Sequence, residues 1–262
     1  MTVHLTRRQL VVSATGVLGV ALLGTGCSAA GDPAGPTGPS PSGTPSGPAS
    51  PAGSPVASPS GAAGPAAAAG LRWERADLSF VSAYLLVRGS EVAIVDLGTA
   101  GSDGAIRQVL ASIGLGWDAV RHIVLTHRHG DHVGGLAAVA PQVRATVYAG
   151  AQDVAAIDSP VPIAGVRDGQ EVFGLQVIAS PGHTAGHICI FDPATGVLVA
   201  GDALRTTAGL APSDPQFTED AAGAAASVKR LATLPVRVIL PGHGDPLTEG
   251  AAEALTRLAA TL

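Results

Sequence analysis

From residue 71 onward, short apolar runs alternate with breaks bearing Gly, Pro or Asp, the pattern of strands bounded by turns. Residues 71–75, 80–87 and 91–96 read as strands, the last two joined by Gly89-Ser90. Residues 103–113 carry Ile106, Val109, Leu110 and Ile113 at helical spacing. Residues 119–125 form a buried strand, a short helix follows over 133–139 before Pro141, and 144–148 is again a strand. Two short strands flank Gly174 within 170–179, and 188–191 pairs with 197–200 across Asp192-Pro193-Ala194-Thr195-Gly196. A helix over 218–234 takes Thr218 as its N-cap, with Glu219 and Asp220 in the first turn. A strand at 236–240 and an amphipathic helix at 248–262 complete the pattern. Strands with intervening helices in both halves predict an α+β fold of two packed sheets with helices outside.

The pattern before residue 71 differs. Residues 1–30 read as an export signal: a basic start, His4-Leu5-Thr6-Arg7-Arg8, then an apolar run over 10–24 too short to span a bilayer comfortably. Thr6-Arg7-Arg8-Gln9-Leu10-Val11 resembles a twin-arginine signal, and Leu22-Leu23-Gly24-Thr25-Gly26-Cys27 resembles a lipobox. The lipobox resemblance implies cleavage before Cys27 and a lipid on its sulfur. The chain is then a lipoprotein on the outer face of the cell membrane, or a secreted protein if Cys27 is not lipidated. Residues 31–70 are almost wholly Gly, Pro, Ser, Ala and Thr, which bury too little surface to offset chain entropy, so a disordered tether is expected. A catalytic domain is expected over 71–262.

Composition narrows the function. The net charge of −5 gives no reason to expect nucleic acid as a partner. The two cysteines, Cys27 in the leader and Cys189 in an apolar run, do not make a disulfide framework, and Cys189 reads as a small core residue. Of 8 histidines only His4 precedes residue 71, and the rest concentrate at expected strand ends.

The densest chemistry is Thr126-His127-Arg128-His129-Gly130-Asp131-His132. Alternation at 127 and 129 puts two imidazoles on one side of extended backbone, while Asp131 and His132 come from the turn into the next helix. Such an arrangement can hold two cations side by side. His183, Asp202 and His243 each follow a glycine at a strand-end loop, where the missing Cβ permits close approach to an ion. Five His and two Asp form a donor set suited to zinc, and a carboxylate able to bridge two cations suits a two-metal hydrolase. His122 and His187 are read as structural.

With these motifs the chain resembles the metallo-β-lactamase fold superfamily over about residues 80–245. The resemblance implies a four-layer αβ/βα sandwich with the site at one edge of the sheets. It implies that His127, His129 and His183 bind a first metal, that Asp131, His132 and His243 bind a second, and that Asp202 bridges them. It also implies that Asp96 supports the site from behind the ligands. Two Zn2+ ions are expected, with iron or manganese as alternatives. A bridging Asp202 is similar to the glyoxalase II, lactonase and phosphodiesterase-like branches, although no helical substrate domain of the glyoxalase II kind is expected. The expected activity is hydrolysis of an ester, thioester, lactone or related bond in a small-molecule substrate, with Asp131 orienting the nucleophile and moving its proton. Residues 205–217 are expected to line the pocket, where Arg205 meets an anionic substrate. Two other readings stay open: a mononuclear iron persulfide dioxygenase of the same fold, and a non-enzymatic surface lipoprotein that binds metal or a partner.

Overall fold

The computed structural model describes residues 70–262; the expected signal, Cys27 and residues 31–69 of the tether lie outside the described residues. A first sheet contains β1 (Arg72–Asp77), β2 (Ser82–Arg88), β3 (Glu91–Val95), β4 (Val120–Leu125), β5 (Thr146–Gly150) and β6 (Ile163–Val166), in that spatial order. The β1–β2 and β2–β3 pairs are antiparallel, and β3 through β6 run parallel. α1 (Asp103–Ser112) makes the crossover from β3 to β4, and α2 (Gly130–Val133) and α3 (Leu136–Val139) follow β4.

The second sheet has β7 (Glu171–Val172), β8 (Leu175–Ala179), β9 (Ile188–Asp192) and β10 (Val197–Gly201) in antiparallel sequence. After a small ribbon of β11 (Leu204–Arg205) and β12 (Ala211–Pro212), α4 (Ala221–Leu231) returns the chain so that β13 (Val238–Pro241) lies parallel to β10 at the sheet edge. α5 (Ala251–Ala259) packs on α4.

Three apolar layers hold four structural layers together. Strand β2 is buried along its whole length because both faces are covered. Its Ala83, Leu85 and Val87 face a cluster with Ile106, Leu110, Leu136 and Val139 of the helices. Its Tyr84 and Leu86 face the second sheet, against Val177, Ile190 and Val199. On the far side of that sheet, Cys189, Phe191 and Leu198 pack against Val228, Leu231 and Leu255. Each fully buried Leu, Ile or Val stabilises by about 1.5–3 kcal/mol relative to exposure. The expected αβ/βα sandwich is the observed fold.

Three local features differ from the sequence pattern. The helix expected over 133–139 is broken into the single turns α2 and α3. Leu97 N–H donates to His132 O and Gly135 N–H to Gly98 O, so the loop after β3 replaces helical bonds. A Cβ on Gly134 would sit 2.8 Å from Ala100 N, so only glycine admits that loop. The helix expected from Thr218 starts instead at Ala221, because Asp220 caps it by accepting from Ala222 N–H at 3.0 Å. Thr218 uses its hydroxyl on Asp214 O, at 2.6 Å. Finally, β6 extends the first sheet where no strand is expected; its burial is patchy and its apolar signal correspondingly weak.

Candidate metal centre

The site lies where strand ends from both sheets converge, the usual place for ligands in sheets with parallel strands. Asp96 follows β3, His127 and His129 follow β4, and Asp131 and His132 sit in α2. His183 lies between β8 and β9, Asp202 just past β10, and His243 just past β13. The fold brings all seven expected ligands into three overlapping groups, each with its donor atoms within 4.8 Å: His127, His129 and His183; His127, His132 and Asp202; and Asp131, His132 and His243.

Asp202 lies within reach of histidines from all three groups. Its Oδ1 lies 3.2 Å from His132 Nε2, and its Oδ2 lies 3.4 Å from His183 Nε2 and 3.2 Å from His243 Nε2. Asp131 Oδ2 is 3.4 Å from His243 Nε2. His129 Nδ1 lies 2.9 Å from His183 Nε2. The buried atoms His127 Nε2, His132 Nε2 and Asp202 Oδ1 have no hydrogen-bond partner among the described residues. Buried nitrogen and oxygen donors converging without partners are a cost unless a cation satisfies them, so the donor set fits divalent metal.

The reverse sides of the rings are held. His132 Nδ1 donates to Asp96 Oδ2 at 2.8 Å, and His243 Nδ1 to Phe80 O at 2.7 Å. His183 Nδ1 lies 2.8 Å from Ser213 Oγ, and His127 Nδ1 lies 3.0 Å from Thr126 Oγ1. Such outer contacts fix ring orientation and leave Nε2 facing inward. Asp96 stands behind His132, its carboxylate on the ring's Nδ1.

The electrostatics divide the site. Burial pushes His127 well below the ordinary histidine value, helped by the neighbouring His132. Burial likewise pushes His183 down to about 4. Both rings are therefore neutral near pH 7, the form that ligates metal. Burial works against the charge on His132, but Asp202 and Asp96 outweigh it and hold this ring well above the ordinary value. Hydrogen bonds with Asp131 and Asp202 raise His243 to about 10. Asp131 is lowered by its hydrogen bond with His243. Burial would raise Asp202, yet the neighbouring His132 charge carries it well below the usual carboxylate range. A cation bound between these carboxylates would take the place of the protons on His132 and His243.

His127 and His132 are fully buried, while the Asp131 and His243 side chains are partly exposed and face a cavity of about 590 Å³. Phe80, Phe217 and Arg205 line the same cavity, and both phenylalanines are exposed. Arg205 thus sits where the sequence expects it, its Nε donating to Pro212 O.

The metallo-beta-lactamase superfamily pattern matches residues 76–243. The chain belongs to the metallo-beta-lactamase superfamily. It is 35% identical over 137 residues to a hydroxyacylglutathione hydrolase of Dechloromonas aromatica, covering 49% of this chain and 48% of that one. Its fold superposes on a metallo-beta-lactamase family protein of Thermus thermophilus with a TM-score of 0.59 at 28% identity, over 73% of this chain and 79% of that one. It also superposes on TTHA1623, solved in a di-iron-bound form, with a TM-score of 0.56 at 29% identity, over 70% and 95% of the two chains. The chain spans two thirds or less of the first curated relatives it matches, and about half of the hydroxyacylglutathione hydrolase.

Two contributors of this metallo-beta-lactamase superfamily site have no local signal in the sequence. Asp153, fully buried, accepts from Arg128 N–H at 3.1 Å, Thr184 Oγ1 at 2.6 Å and Gly186 N–H at 2.9 Å, joining the two loops that carry His127, His129 and His183. Ser213 buttresses His183 from the loop over the cavity. Only their positions in the folded chain reveal them.

Proposed function

We propose that this protein is an exported, zinc-dependent hydrolase that cleaves an ester, thioester, lactone or related bond in a small molecule. The observation that carries the reading is Asp202, whose two oxygens reach His183 of one donor group and His132 and His243 of the other, at the floor of an open cavity. In this reading His127, His129 and His183 would hold one cation and Asp131, His132 and His243 the second, with Asp202 shared between them. Once bound there, the two ions would acidify a water and polarise the substrate oxygen. Asp131, ionised at the cavity wall, takes a proton from the attacking water and returns it to the leaving group. The acyl–oxygen or acyl–sulfur bond breaks, and the water oxygen joins the acyl carbon. Arg205 is positioned to receive an anionic substituent, while Phe80 and Phe217 give the cavity apolar walls. The likeness to hydroxyacylglutathione hydrolase supports thioesters as the first class to assay.

Export rests on the twin-arginine-like and lipobox-like segments, with Cys27 as the lipidated residue and residues 31–70 as the tether. Two measurements test the reading. Purified protein is expected to carry about two zinc ions per chain and to turn over at least one member of an ester, thioester, lactone and phosphodiester panel. One iron per chain, with oxygen uptake on a persulfide, would establish the dioxygenase instead; no turnover by fully loaded protein would favour a binding role. Cys27→Ala is expected to move the protein out of the membrane fraction.

A further inference from the structure

The metal-facing residues do not account for His187, Ser180 and Cys189, which are buried together beneath the site. Asp202 N–H lies 3.0 Å from His187 Nε2. A backbone N–H can only donate, so Nε2 must present its lone pair. The proton of this neutral ring is then on Nδ1, which points at Ser180 Oγ, 2.8 Å away. Ser180 accepts there, and its own proton has Cys189 Sγ at 3.1 Å. Cys189 Sγ in turn lies 3.4 Å from Ala200 O. Burial pushes both His187 and Cys189 towards their uncharged forms, which keeps the thiol proton available to donate.

Followed donor to acceptor, the bonds run Asp202 N–H, His187, Ser180, Cys189, Ala200 O. The start and end of this path flank one residue, Gly201. That residue has a left-handed φ of 48°, and a Cβ there would meet His187 Nε2 at 2.9 Å and Thr126 Oγ1 at 2.8 Å. The path therefore closes on the corner that aims the Asp202 carboxylate.

We propose that His187, locked as the Nδ1–H tautomer by Ser180 and Cys189, is a positioning residue that sets the direction of Asp202 between the two donor groups. It rests on the metal-site reading above but makes no use of turnover. His187 is not itself a ligand, because the lone pair that would meet a cation is taken by Asp202 N–H. Its ring stands 5.3 Å from that of His127 and 5.9 Å from that of His183, so it underlies the first donor group without joining it.

The test uses metal affinity and nitrogen spectroscopy on the whole chain. In His187→Gln, the amide oxygen can still accept from Asp202 N–H; in His187→Leu, nothing can. Competition with a chromophoric chelator is expected to show zinc affinity within about threefold of wild type for Gln and a loss of about 10–100-fold for Leu, the usual cost of removing an outer contact of a metal site. Wild-type affinity in the Leu variant, or equal losses in both, overturns the proposal. Should neither variant fold, long-range ¹⁵N–¹H spectra of the wild-type protein decide: a proton on His187 Nδ1 sustains the proposal, and a proton on Nε2 overturns it. Failure of the hydrolase reading appears separately, as absent turnover with normal zinc binding and the expected tautomer.

Discussion

Asp96 Oδ2 lies 2.8 Å from Nδ1 of His132. The same carboxylate accepts Thr126 N–H and Thr126 Oγ1–H, each at 2.7 Å, while Asp96 itself holds a left-handed φ of 61°. One side chain thus fixes a ring of one donor group and the chain that leads into the other. Asp96→Asn keeps shape and tolerates that backbone, but its NH2 meets a donor on one side. Zinc affinity is expected to fall about 10–100-fold, read by competition with a chromophoric chelator; undiminished affinity would remove Asp96 from the site.

Asp131 is the ionised group at the cavity wall. Asp131→Ala is expected to lower turnover about 10²–10⁴-fold, with far-UV circular dichroism unchanged because the side chain is partly exposed. Normal turnover in this variant would refute its role in proton transfer.

Gly242 offers a direct steric test. A Cβ there would collide with Asp202 Oδ1 and lie 2.7 Å from His132 Cε1. The expected outcome for Gly242→Ala is an intact fold in chelator and loss of bound metal, measured by elemental analysis against protein concentration. Two ions per chain in the alanine variant would show that Asp202 and His132 need not sit as described.

Alkaline stability follows from two buried acids. Burial raises Cys189 from 9.0 to about 12 and Tyr84 from 10.0 to about 12. In both, the unfolded chain ionises first. Their contribution is complete below pH 9 and is lost as pH rises towards about 12. Midpoints of urea unfolding in chelator are expected to fall from pH 9 upward, and Cys189→Ser to flatten the early part of that fall. A wild-type midpoint constant between pH 9 and 11 would contradict the buried, neutral environments.

Much of this is legible because ligands announce themselves locally. The cluster from His127 to His132 is contiguous, and His183, Asp202 and His243 each follow a glycine that lets chain approach chain. Asp153 and Ser213 are not legible, since their partners lie in other loops and no spacing rule links them. The sequence pattern takes Thr218 as the cap of α4 with Asp220 in the first turn; the helix is capped by Asp220 instead, because Thr218 turns to Asp214 and Ser213. The break between α2 and α3 is imposed by residues 97–100, an influence no helical periodicity carries.

The contact of His243 with Phe80 spans 163 residues of chain. Of the seven donors, only those from His127 to His132 are neighbours before folding. A site assembled from such distant segments comes together late, after the sheets have paired. Metal present earlier would meet that local cluster alone, and any hold there would stabilise unfolded chain rather than native. Refolding first in chelator and adding metal afterwards is therefore expected to give the higher yield of native protein.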